Sequence, residues 1–163
     1  MLAPTARRII GASIAALVLF VFVSPVAAGA GAGTGTWGPR FGLTIEPDQA
    51  HAGMQFQAAQ ITPHVSFLPS FDLGAGDNAI TVAGNMDFKY VFSQGPSHWR
   101  PYLAGGPGIF FVNVDNHGSN TDVGINLVGG MQTPTQSGLF FGEMRLGLVD
   151  EADVKFSVGW MFR

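Results

Sequence analysis

His64 and Ser66 stand two residues apart, a spacing that puts an imidazole and a hydroxyl on one side of an extended strand. A histidine so placed can act as the base that activates a serine nucleophile, provided a carboxylate orients the ring. The nearest downstream carboxylates are those of Asp72 and Asp77. Both members of the pair fall on a polar strand face, so a hydrogen-bonding pair that helps fill an interior is the better account.

A larger set of ionisable residues alternates with apolar neighbours along the chain: Arg40, His64, Asp72, Asp87, Lys89, Arg100, Glu143, Arg145 and Lys155. Turned to one side of a sheet, its five basic and three acidic members, besides the histidine, can pair into a network filling a narrow lumen. A gated ion path or a ligand cup is the functional alternative. A third set, Glu46, Asp48, Asp77, Asp115, Asp122, Asp150, Glu151 and Asp153, supplies oxygen ligands of the kind that calcium or magnesium prefers. No loop has an EF-hand spacing, and solvated acidic loops are the default explanation, so no metal is assigned. No motif implies a cofactor, and Asn116 and His117 suit a turn.

The elements that must position these groups are strands. From Ala79 to Phe92, residues Ile80, Val82, Met86, Phe88 and Tyr90 share one face, and Thr81, Asn85, Asp87 and Lys89 the other. Near the C-terminus Val154, Phe156, Val158, Trp160 and Phe162 alternate with Asp153, Lys155, Ser157 and Gly159. The same period of two predicts strands over Trp37–Ile45, His51–Gln57, Pro63–Leu73, Trp99–Val114, Thr121–Gln132 and Gly138–Val149, eight in all. Only 12% of the chain is charged while it holds 14 Phe. That is too little charge to cover a soluble barrel, so the apolar faces are expected to point outward into lipid. Closing the sheet leaves no unpaired edge there.

The connections support two unlike rims. Alternate loops, together with Asp122 at the start of the strand that follows one of them, hold eight of the eleven acidic residues, whereas the segments Ala58–Thr62, Ser93–His98 and Thr133–Ser137 hold none. Such segregation follows if alternate connections lie at the same end, as in an up-and-down barrel.

At the N-terminus, Arg7 and Arg8 precede an apolar run from Ile9 to Val23 and the small-residue segment Ser24-Pro25-Val26-Ala27-Ala28, the order of a secretory signal peptide. The run is shorter than the roughly 20 residues of a spanning helix. Removing 1–28 leaves a flexible lead-in over 29–36 and one barrel domain over 37–163. The remaining six basic residues face eleven acidic ones, a balance that excludes a nucleic-acid binder. There are no cysteines, so an exported fold of this size must be held by hydrogen bonds, a core or a membrane.

With the strands placed, four segments carry a resemblance: residues 63–74 (PHVSFLPSFDLG), 87–92 (DFKYVF), 100–106 (RPYLAGG) and 155–162 (KFSVGWMF). From Trp37 to Phe162 the chain resembles the small outer-membrane β-barrel family that shares the eight-stranded fold of the transmembrane domain of outer-membrane protein A. The resemblance implies an all-β, eight-stranded antiparallel up-and-down transmembrane barrel in the outer membrane. Its implied partners are the barrel-assembly machinery, outer-membrane lipid and lipopolysaccharide. Family members usually end on an aromatic residue read as a sorting signal; here Phe162 is penultimate and Arg163 follows. Lipid A deacylases of the outer membrane use a His-x-Ser pair with a glutamate, and this chain offers only aspartates near His64 and Ser66. The expected role is therefore non-enzymatic, in envelope integrity or surface interaction. The alternatives are a lipocalin-like carrier with its apolar faces turned inward and a lipid A-modifying hydrolase.

Overall fold

The computed structural model of the chain describes residues 35–45, 48–76, 79–92, 98–114, 118–148 and 154–162. The expected signal peptide over 1–28 lies outside them, as does the lead-in apart from Gly35 and Thr36. Nine strands follow in order: β1 (Thr36–Ile45), β2 (Gln49–Gln57), the two-residue β3 (Ala59–Gln60), β4 (Val65–Gly76), β5 (Ala79–Val91), β6 (Arg100–Val114), β7 (Gly118–Thr135), β8 (Gly138–Leu148) and β9 (Val154–Phe162). Each long strand pairs antiparallel with its chain neighbour, β1 pairs with β9, and β2 pairs with β4. The eight long strands thus close into an antiparallel up-and-down barrel with no helix among the described residues.

The two-residue β3 exists because the register changes by one residue between Gln55↔Ser70 and Ala59↔Phe67. That is a bulge, which lets the end of β2 bend along β4. Strand β7 runs further than the sequence suggested, so the expected turn over Thr133–Ser137 shrinks to Gln136 and Ser137. Thr-Pro-Thr reads locally as a turn, but β-branched Thr133 and Thr135 suit a strand and pair with Phe140 and Gly138.

Two ladders are interrupted. Between β1 and β9 the pairing passes from Trp37↔Phe162 to Arg40↔Gly159, skipping Gly38 and Pro39. Between β5 and β6 it passes from Asn85↔Gly108 to Phe88↔Gly105, skipping Gly106 and Pro107. Proline has no N–H to give the ladder. The glycine before it lies so close to the next strand that an added Cβ would fall 1.6 Å from Trp160 O at Gly38 and 1.9 Å from Met86 O at Gly106.

The pleat sorts the side chains. Phe41, Leu43, Ile45, Met86, Phe88, Leu103, Ile125, Leu127, Phe156 and Val158 are exposed on the outer surface. Arg40, Asp72, Asp87, Lys89, Glu143, Arg145 and Lys155 are buried in the interior. At the end that carries the chain termini, outward rings meet edge to face or tilted: Trp37 with Phe162, Phe140 with Trp160 and Trp99, and Tyr90 with Phe92. Phe-rich faces therefore do not enclose an apolar cup, as the carrier alternative would need.

Candidate functional site

The interior is organised around glycines on the inward face. On one rung of the sheet, Arg40 of β1 is followed by Gly53 of β2 and Asp72 of β4. Because Gly53 is bare, the guanidinium passes over β2. Its Nε donates to Asp72 Oδ1 at 2.7 Å, and Nη2 pairs with Oδ2. A Cβ at Gly53 would fall 2.2 Å from Asp72 Oδ1. The same device recurs. Tyr102 of β6 reaches over Gly130 of β7 and donates to Glu143 Oε2 of β8 at 2.7 Å. His51 of β2 meets Ser157 of β9 over Gly42 of β1, Nε2 to Oγ at 2.9 Å. Asn126 of β7 donates to Asn85 Oδ1 of β5 at 2.7 Å beside Gly108 of β6.

These bridges join into a plug across the lumen. Glu143 accepts from Arg40 Nη1 at 2.8 Å and lies 3.7 Å from Arg145 Nη2. Arg145 Nη2 in turn pairs with Asp87 at 2.7 Å. Two arginines and three carboxylates therefore form one chain of charge-assisted contacts from β4 through β1 and β8 to β5. Toward the end with the termini, Lys89 donates to Gln132 at 2.9 Å and sits 4.9 Å from the Tyr102 ring, above a packed cluster of Tyr102, Ala104, Val128, Phe141 and Met161. Toward the loop end, Lys155 lies 5.0 Å from the Phe110 ring and His51 contacts Thr44 at 3.2 Å.

No protein-family model and no curated protein matches the sequence. Solved structures do match. Neisserial surface protein A superposes with a TM-score of 0.63 at 12% identity over 78% of this chain and 94% of that one. The N-terminal β-barrel domain of Pseudomonas aeruginosa OprF gives 0.60 at 15% identity over 78% and 98%. The chain has the fold of the small eight-stranded outer-membrane β-barrels. The outer membrane enzyme PagL shares it as well, with a TM-score of 0.51 at 10% identity over 78% and 99%, so this barrel fold does not by itself separate an enzyme from a non-enzyme.

Within this barrel, the structure corrects two of the nine residues expected in the lumen. His64 precedes β4 in an exposed bend, its ring 6.0 Å from the outward-facing Tyr90. Arg100, the first residue of β6, is exposed at the barrel mouth. Arg100 keeps the inward alternation of β6 but stands at its exposed end, whereas His64 lies before β4 with its ring turned to the outer face. Ser66 is buried and donates to Gln60 at 3.2 Å. The expected His-x-Ser pair is therefore divided between outside and inside, contrary to the shared face that the spacing predicted.

Of the acidic rim, Glu46, Asp77, Asp115, Asp150, Glu151 and Asp153 lie outside the described residues. Asp48 is exposed, and Asp122 accepts from Asn120 at 3.0 and 2.9 Å. Among the described residues no three metal-ligating side chains gather. Asn85 is buried on the polar face where the alternation put it, and so is Gln55, whereas His51, Tyr102, Asn126 and Gln132, also buried, were not singled out by the sequence reading. Their signal is the same alternation that marks their charged neighbours on each strand.

Proposed function

We propose that the chain is a non-enzymatic outer-membrane barrel whose work is structural, stabilising the envelope and presenting its loop end to the surroundings. The observation that carries this reading is the distribution of charge. Every ionised side chain in the middle of the strands is buried inside the barrel, five of them joined in an ion-paired plug, and an apolar band covers the outside. Such a surface is stable in hydrocarbon, where an outward charge is penalised, and the paired charges across the lumen favour a closed barrel over an open conduit or an apolar cup.

In this reading residues 1–28 export the chain, both termini lie on the periplasmic side, and the rings of Trp37, Trp99, Trp160 and Tyr90 sit at the periplasmic lipid interface. The acidic loop end faces lipopolysaccharide. Outer-membrane fractionation, with gel mobility compared before and after boiling, tests it. Recovery in the outer membrane with faster migration unboiled is the expected result. Recovery as a soluble periplasmic protein overturns it. Conductance in planar bilayers tests the closed lumen, and long-lived single-channel openings would contradict a plugged barrel.

A further inference from the structure

The central plug does not satisfy all of its own polar atoms. Arg145 pairs with Asp87 through Nη2, yet its Nε and Nη1 have no hydrogen-bond partner among the described residues, and its side chain is only 3% exposed. The second carboxylate oxygen of Asp87, Oδ1, and the side-chain oxygen of Asn126, Oδ1, are buried and likewise unpartnered there. The three residues lie in one region. Asp87 holds Arg145, and Asn126 holds Asn85, two positions along β5 from Asp87.

The chemistry of this set selects its occupant. The free atoms are guanidinium N–H donors on one residue and oxygen acceptors on two others. An anion would suit Arg145 and be repelled by Asp87. A metal cation would suit the oxygens and be repelled by the guanidinium. A small neutral molecule that both donates and accepts serves all of them, and buried polar groups in proteins are completed in this way. We propose that bound water occupies the centre of the barrel between Arg145, Asp87 and Asn126. Nε carries one N–H and Nη1 two, so more than one water is needed. The site lies inside the closed barrel and exists whether or not the barrel sits in the outer membrane.

The test is a water-contact NMR measurement on the full chain, labelled with nitrogen-15 arginine and refolded in deuterated detergent micelles. The Arg145 Nε–H resonance is assigned by its loss in Arg145→Lys, or, if that variant does not fold, by elimination from single lysine replacements of Arg7, Arg8, Arg40, Arg100 and Arg163. A direct cross-peak between long-lived water and Arg145 Nε–H is expected, at least several-fold stronger than at Arg40 Nε–H, which is already bonded to Asp72. Absence of that cross-peak means that Arg145 closes directly on Asp87 and the centre is dry, which overturns the proposal. A saturable shift of the Arg145 resonance on titration with chloride means an anion site and overturns it equally.

Discussion

Replacing Arg40 by methionine should be among the most damaging single changes this barrel can suffer. The side chain is 1% exposed and serves two carboxylates at once, Asp72 through Nε and Nη2 and Glu143 through Nη1. Its loss strands them unequally. Glu143 keeps the Tyr102 hydroxyl at 2.7 Å and Arg145 at 3.7 Å, whereas Asp72 keeps, among the described residues, a side-chain contact of 3.5 Å from Asn85. Removing one partner of a buried pair costs roughly 3–5 kcal/mol, because an uncompensated charge is left behind. That is a loss of about a hundredfold to several thousandfold in the folding equilibrium. With a urea slope of about 1–3 kcal/mol/M, the unfolding midpoint should fall by on the order of 2 M. The assay is urea unfolding of refolded barrel in phospholipid vesicles, followed by tryptophan fluorescence and by unboiled gel mobility. Adding Asp72→Asn to Arg40→Met should restore part of the loss, since the stranded charge is then gone. A single variant within about 1 kcal/mol of the parent would refute the account of the plug, as would a double variant whose two losses simply add.

Gly53→Ala should cost about 1–3 kcal/mol, because the new methyl would meet Asp72 Oδ1 and Phe71 O, both 2.2 Å from the Cβ position. Gly129→Ala, whose nearest neighbour would be 3.9 Å away, should stay within about 0.5 kcal/mol in the same titration. Leu127→Arg places a charge on the outer face near the middle of β7 and should cost about 2–4 kcal/mol in vesicles while changing little about the interior; an unaltered midpoint would mean that this face does not lie in hydrocarbon. Mass spectra of lipid A from cells expressing His64→Ala or Ser66→Ala should match those from cells expressing the parent chain, and any loss of an acyl-chain change made by the parent would restore the hydrolase reading.

The faces of the strands were legible in the sequence because the pleat converts position into direction with a period of two, without reference to any distant residue. Asp87 and Lys89 on β5, or Glu143 and Arg145 on β8, go inward for the same local reason that Phe88 and Met144 go outward. Strand ends were less legible, because they depend on how far the neighbouring strand continues. Arg100 obeys the alternation yet lies where the wall has stopped, and His64, just short of β4, turns its ring outward. The bridges across glycines were illegible for a deeper reason. That Gly53 separates Arg40 from Asp72, or Gly130 separates Tyr102 from Glu143, is a property of register across three strands, and no single strand carries it.

The two interrupted ladders fall on opposite sides of the ring. One separates β9 from β1 and the other β5 from β6, so they divide the ring into β1 to β5, bent by the bulge between β2 and β4, and β6 to β9. Each half-shell is a contiguous stretch of chain, and the covalent crossing between them is the single connection from β5 to β6. A chain cut in that connection would yield two meanders that meet along the two seams at which a Gly-Pro pair breaks the ladder. Because both seams keep paired residues on either side of the break, the two halves should still reassociate into one closed barrel when refolded together.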